Sequence, residues 1–220
     1  MSAKIGVFAL FILLGYNVSQ AQDNEAANWI IKFNIGPSFL NHDEVNAALE
    51  QQDFGTVSNT FPAFGIEFLQ WRKRWMLGGT YYGYMLDTAL VVGQEASLLY
   101  QYATIQTGFL FHKAEASFPW RIYSTLGLGA GFSSLRSRNF QQNNPIVHRT
   151  GGPVADLAVH VQRFRPIEED KHLTFGLTIG FLFTPPQNWN NSSFAPDSVF
   201  RQSPAGPYLR LSIGMGRLSQ

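Results

Sequence analysis

The stretch Lys171-His172-Leu173-Thr174-Phe175-Gly176-Leu177-Thr178-Ile179-Gly180-Phe181-Leu182-Phe183-Thr184 alternates with a period of two. Leu173, Phe175, Leu177, Ile179, Phe181 and Phe183 fall on one face of a strand, and His172, Thr174, Gly176, Thr178 and Gly180 on the other. A soluble sheet hides such an apolar face under a second layer. This chain instead repeats the pattern, and an export signal precedes it. The reading is a strand with lipid on one side and a narrow polar lumen on the other.

Seven further segments follow the same rule: residues 29–40, 60–70, 75–86, 98–111, 120–135, 153–164 and 207–218. Each is long enough for a tilted strand to cross a bilayer, for which about 9 to 11 residues suffice. Connections alternate in length. Those around 70–74, 113–119 and 165–170 are short, whereas 41–59, 87–97, 136–152 and 185–204 are longer and polar. Short periplasmic turns and long outer loops have this asymmetry. The expected fold is all-β: a closed antiparallel eight-stranded transmembrane barrel, an up-and-down meander with both ends of the chain on the periplasmic side. Trp29, Trp71, Trp75, Phe118 and Trp120 sit beside the short turns, with Phe164, and are expected to form an interfacial aromatic girdle. A secreted lipocalin-like soluble barrel is the alternative, with apolar residues inside and polar ones outside. Glycine on the polar faces of the fifth and eighth segments suits a crowded lumen better.

Composition agrees. Aromatic residues make up 15% and charged residues 14% of the chain, against about 25% charged in a typical soluble domain. There is no cysteine, and the formal charge of +1 gives no reason to expect a nucleic-acid partner. Lys4, the apolar run from Ile5 to Tyr16 and the small-residue site Val18-Ser19-Gln20-Ala21 make residues 1–21 a signal peptide. Residues 22–220 are then the barrel domain.

On these residues the chain resembles the small outer-membrane β-barrels of Gram-negative bacteria, porin-like and of the eight-stranded OmpA, OmpX and OmpW type. Ala21-Gln22-Asp23 and the strand Tyr123-Ser124-Thr125-Leu126-Gly127-Leu128-Gly129-Ala130-Gly131-Phe132 are similar to barrels of the Bacteroidota. The family's assembly signal usually ends in an aromatic residue. Here the corresponding stretch reads Gly216-Arg217-Leu218-Ser219-Gln220.

Five charged or titratable residues fall on polar strand faces: Lys32, Glu67, Asp156, His160 and Arg210. Eight strands enclose only enough space for side chains, so these groups are expected to pair across the lumen as a plug or gate. His160 lies four residues from Asp156, but no third ligand or nearby serine completes a metal or catalytic set. No enzymatic activity, metal or cofactor is expected. Asn41 to Gly55, with Asn41 as cap, Glu44 three residues on and Val45, Ala48 and Leu49 on one side, reads as a short helix packed on the barrel mouth. Phe54, Phe61, Val91, Val92, Trp189, Phe194 and Phe200 are apolar groups that a merely solvated loop does not need. The expected role is therefore structural or surface-interacting, through the outer loops, with porin-like passage of small or hydrophobic solutes as the alternative. The expected partners are outer-membrane lipid and an extracellular ligand or protein at the long loops. Nothing in the sequence bears on the oligomeric state. Leu177→Arg is expected to hinder insertion and Thr178→Arg to be milder, if the lumen has room for the longer side chain.

Overall fold

The computed structural model describes residues 28–84, 87–91, 93–113, 119–139, 146–168, 170–188 and 201–217. The expected signal peptide lies outside them, as do Phe118, Val92, Trp189, Phe194 and Phe200. Among the described residues, eleven strands and one helix follow in order: β1 (Asn28–Phe39), α1 (Asp43–Glu50), β2 (Thr60–Arg72), β3 (Trp75–Tyr84), β4 (Asp87–Val91), β5 (Gln94–His112), β6 (Trp120–Asn139), β7 (Ile146–Pro166), β8 (Lys171–Phe183), β9 (Gln187–Asn188), β10 (Arg201–Gln202) and β11 (Gly206–Arg217). Antiparallel pairing runs β3-β2-β1-β11-β8-β7-β6-β5, and β3 pairs with β5 to close the ring at eight strands. Closure leaves no barrel edge, and an open edge in lipid would leave backbone donors and acceptors unpaired at several kcal/mol each.

The period of two decides which side chains meet lipid. Phe33, Ile105, Leu128, Ile179, Leu211 and Ile213 face outward and are exposed, while Lys32, Asn34, Glu67, Thr104, Thr178 and Arg210 face inward and are buried. A soluble barrel would have the opposite arrangement, so its alternative falls. Ile179, 58% exposed, pairs with Leu209 on β11 and Val159 on β7, inside a continuous apolar band. Ile179→Arg is expected to cost about 2–4 kcal/mol of folding stability near the bilayer midplane, read from denaturant unfolding in lipid vesicles. Unchanged stability would contradict the lipid-facing assignment. Thr178 is 1% exposed and its hydroxyl lies 2.9 Å from His160 Nδ1. An arginine there would have to displace these contacts, so the condition under which Thr178→Arg is the milder change is not met.

The loops differ from expectation in two places. Residues 87–91, 94–97, 136–139 and 146–152 are strand and not loop: β4 pairs with the start of β5, and β6 and β7 run together past the barrel to Ser137 opposite Ile146. These polar segments lack the apolar contrast that marks a lipid-facing strand, but a strand already in a ladder continues as long as backbone groups find partners. A sheet of β4, β5, β6 and β7 therefore projects beyond the long-loop end. The segment 185–204 carries the short pair β9 and β10. At the other end, Lys73 turns the chain between β2 and β3 with a φ of 57°, the left-handed backbone that tight hairpins use.

Helix α1 forms where the first long loop folds back. It is shorter than residues 41–55: it starts after His42, and Asp53 at φ 62° ends the turn that follows it, in place of Gly55. Asn41 Oδ1 accepts the Asp43 N–H at 2.9 Å from one residue before the cap position, which His42 holds. Eight residues are too few for a stable free helix, so packing holds it. Val45 and Leu49 are fully buried in the barrel mouth beside Leu40, Val57 and Phe61. Asn46 fastens the irregular segment that returns to β2, donating to Val57 O at 3.0 Å and accepting from Val57 N at 2.8 Å.

Candidate functional site

The lumen is filled in layers. At the short-turn end an apolar floor joins Ile30, Leu69, Trp71, Met76, Leu110 and Tyr123, with Phe164 packed against it. Trp71 thus departs from the expected girdle. On β2, Ile66 and Phe68 face lipid, so Trp71 shares the inward parity of Glu67 and Leu69 and is 4% exposed. Its ring meets Tyr123 and Phe164 edge-on, with centroids 6.0 Å and 6.3 Å away. Phe164 likewise turns inward. Trp75 is outward and 64% exposed, and Trp29 and Trp120 are outward and half-buried. Phe118 is not among the described residues.

Above the floor lies the first ionic layer. Lys32 and Glu67 are directly opposite each other on β1 and β2, and Lys32 Nζ is 2.9 Å from Glu67 Oε2. The same ammonium donates across the bore to Tyr123 Oη at 2.8 Å and lies 3.4 Å from His160 Nδ1. Asn34 donates to Glu67 Oε2 at 3.4 Å. His160 stacks on Tyr123 at 4.4 Å and is held by hydroxyls at both ring nitrogens, Thr178 at Nδ1 and Thr125 at Nε2, each 2.9 Å away. A proton on Nε2 directed at Thr125 leaves Nδ1 free to accept from Thr178.

The second ionic layer is built on tyrosine. The Arg210 guanidinium lies between the rings of Tyr82 and Tyr208, 3.6 Å and 3.5 Å from their centroids. Its Nη2 donates to Tyr102 Oη at 3.0 Å and Tyr84 Oη at 3.4 Å. Tyr102 in turn donates to Asp156 Oδ2 at 3.0 Å, and Tyr208 to Oδ1 at 2.5 Å. Arg210 and Asp156 are therefore joined through phenol hydroxyls. Such a planar, delocalised cation suits a site between two ring faces, which an ammonium would fill poorly. Inward glycine makes the room: a Cβ on Gly65 would stand 2.1 Å from the Tyr82 ring, and one on Gly180 2.3 Å from that of Tyr208.

Tyr84, Tyr100 and Phe61 lead from this layer into the apolar roof beneath α1. The five residues singled out from the sequence thus fall into two groups, Lys32 with Glu67 and His160, and Arg210 with Asp156. Sequence reasoning missed the tyrosines. Their signal is present in the spacing Tyr82-Gly83-Tyr84, Tyr100-Gln101-Tyr102 and Tyr208-Leu209-Arg210, which sets each pair on one strand face. Chemically the arrangement balances two cations, Lys32 and Arg210, against two carboxylates, Glu67 and Asp156, all buried. Among the described residues, no group of three or more metal-binding side chains comes together.

No protein-family model matches the chain, and no curated protein sequence does. Solved structures do. Ail, the attachment invasion locus protein of Yersinia pestis, in complex with the heparin analogue sucrose octasulfate, superposes with a TM-score of 0.51 at 10% identity, covering 88% of this chain and 99% of Ail. Neisserial surface protein A gives 0.46 at 11% identity, over 88% of this chain and 99% of that one. OprG, an outer-membrane protein of Pseudomonas aeruginosa, gives 0.44 at 15% identity, over 88% and 96%. The match to Ail, together with the apolar exterior and the closed ring of eight strands, identifies the fold: this chain has the fold of the small eight-stranded outer-membrane β-barrels.

Proposed function

We propose that this protein is a non-conducting barrel, exported to the outer membrane and inserted with its short turns in the periplasm, which acts as a rigid wall presenting an outer platform for surface interaction and catalyses no reaction. The observation that carries this reading is the filled lumen. Lys32, Glu67, Asp156, His160 and Arg210 are each no more than 1% exposed, and apolar layers close the bore on either side of them. Ion passage would require both layers and both charge groups to part. The outer platform consists of α1 over the mouth and the projecting sheet of β4 to β7, where Leu90 and Val91 are exposed beyond the membrane band. The complex of Ail with a heparin analogue is a precedent, on this fold, for capture of an external ligand.

The test is single-channel recording in planar bilayers. The wild-type protein is expected to be silent across salts and voltages. Reproducible conductance steps, altered by Glu67→Gln or Arg210→Ala, would overturn the reading in favour of porin-like transport. Sideways passage of a hydrophobic solute is a second reading with one observation in its favour. The ladder between β1 and β11 skips Gly36 and Pro37, passing from Ile35 opposite Leu211 to Ser38 opposite Tyr208, and proline has no N–H to give. Uptake of a small apolar dye into vesicles containing the wild-type barrel would favour that reading over the sealed wall.

A further inference from the structure

The outward face of β6 changes character as it leaves the membrane. Leu126, Leu128 and Phe132 are exposed apolar residues, then come Ser134, Arg136 and Arg138 on the same parity. On β7 the outward series is Val159, Leu157, Ala155, Pro153, Gly151 and then Arg149. Arg149 pairs with Ser134 and Val147 with Arg136, so Arg149 and Arg136 are diagonal neighbours on one face, about 7–8 Å apart at the backbone. Arg138 is two residues further along and stands opposite Glu95 of β5. That carboxylate offsets one of the three positive charges. Among the described residues, the ion pairs involve neither Arg136 nor Arg149.

Two guanidiniums held side by side on a sheet cost stability unless an anion lies between them. These two do not face the lumen or the open medium above the mouth. Both are exposed on the outward face of the β6–β7 extension, Arg136 two outward positions beyond Phe132 and Arg149 the next beyond Gly151, just past the apolar band, where lipid headgroups border a barrel. Arginine presents a planar fork of donors that matches phosphate oxygens two at a time. We propose that Arg136 and Arg149, with Arg138 beside them, form a binding site for the phosphate groups of a phosphorylated outer-leaflet lipid, which would fix the barrel's depth and hold a lipid shell against the β6–β7 wall. The site stands whether or not the lumen conducts, and its test does not depend on conductance.

The full barrel, reconstituted in detergent micelles, is titrated with bisphosphorylated lipid A, and retained lipid is measured by native mass spectrometry. The Arg136→Ser/Arg149→Ser variant is expected to bind about 25-fold more weakly, about fivefold for each basic residue removed from a site near an anionic surface. A dephosphorylated lipid A is expected to bind wild type and variant equally. The Arg136→Lys/Arg149→Lys variant separates charge from fork geometry and is expected to recover only part of the loss. Heat-modifiable migration in gels confirms that each variant is folded. Equal binding of bisphosphorylated lipid A by wild type and double serine variant would overturn the proposal. So would arginine-dependent binding of sucrose octasulfate that lipid A does not displace, which would assign the cluster to a soluble polyanion instead.

Discussion

Replacing Arg210 by alanine is expected to lower the folding stability of the barrel by about 3–5 kcal/mol, the cost of breaking a buried charge arrangement from one side. The side chain is 1% exposed and touches groups from four strands: Tyr82 and Tyr84 on β3, Tyr102 on β5, Tyr208 on its own strand and, through the hydroxyls, Asp156 on β7. Its loss leaves a gap between two tyrosine rings and a carboxylate with no cation near it. Arg210→Lys is expected to recover little, because an ammonium cannot lie flat between the ring faces or donate in a fork. Tyr102→Phe keeps the ring but removes the hydroxyl shared by Arg210 and Asp156, and a loss of about 1–3 kcal/mol is expected. Denaturant unfolding in lipid vesicles, followed by tryptophan fluorescence and by gel mobility, measures all three. An Arg210→Ala protein as stable as the wild type would show that the layer contributes no net stability.

Glu67→Leu is expected to be nearly as costly, at about 3–5 kcal/mol, because it leaves Lys32 charged in the lumen with only Tyr123 and the His160 ring as neighbours. The informative experiment is the double variant. Lys32→Met/Glu67→Leu removes both charges and puts apolar side chains of similar size above the floor of Ile30, Leu69 and Trp71, and replacing a buried ion pair in this way is often neutral or stabilising. Recovery of most of the loss is the expected result. A double variant as unstable as Glu67→Leu would mean that the site requires the charges themselves, as the hub of the hydrogen bonds to Tyr123, Asn34 and His160.

The exposed ion pairs of the short-turn end belong to another regime. Lys171 with Glu168 at 2.6 Å and Arg217 with Asp170 at 2.7 Å are all at least 41% exposed, and such pairs are worth about 0–1 kcal/mol. Their removal leaves the barrel's stability within that range.

How much was legible in the chain follows from what each signal depends on. Alternation along Leu173 to Phe183, and its repetition in seven other segments, was enough for the eight strands of the ring and the face that meets lipid, because side chains on a strand alternate strictly and lipid tolerates only one kind. It was also enough to turn Lys32, Glu67, Asp156, His160 and Arg210 inward. Trp71 went wrong because its place beside a short turn suggested the interface, whereas the parity of β2 sends it inside with Glu67 and Leu69. The extensions of β6 and β7 were read as loops because hydropathy falls silent outside the membrane while the backbone ladder continues. The partners of each inward group were beyond reach of any one strand. Lys32 and Glu67 meet as cross-strand neighbours, but Arg210 meets Tyr82 and Tyr102 from the far side of the bore. That encounter depends on the stagger at which β3 and β5 close the ring, a property of eight strands together, and on the missing Cβ atoms of Gly65 and Gly180, which let two tyrosine rings lie down over a guanidinium.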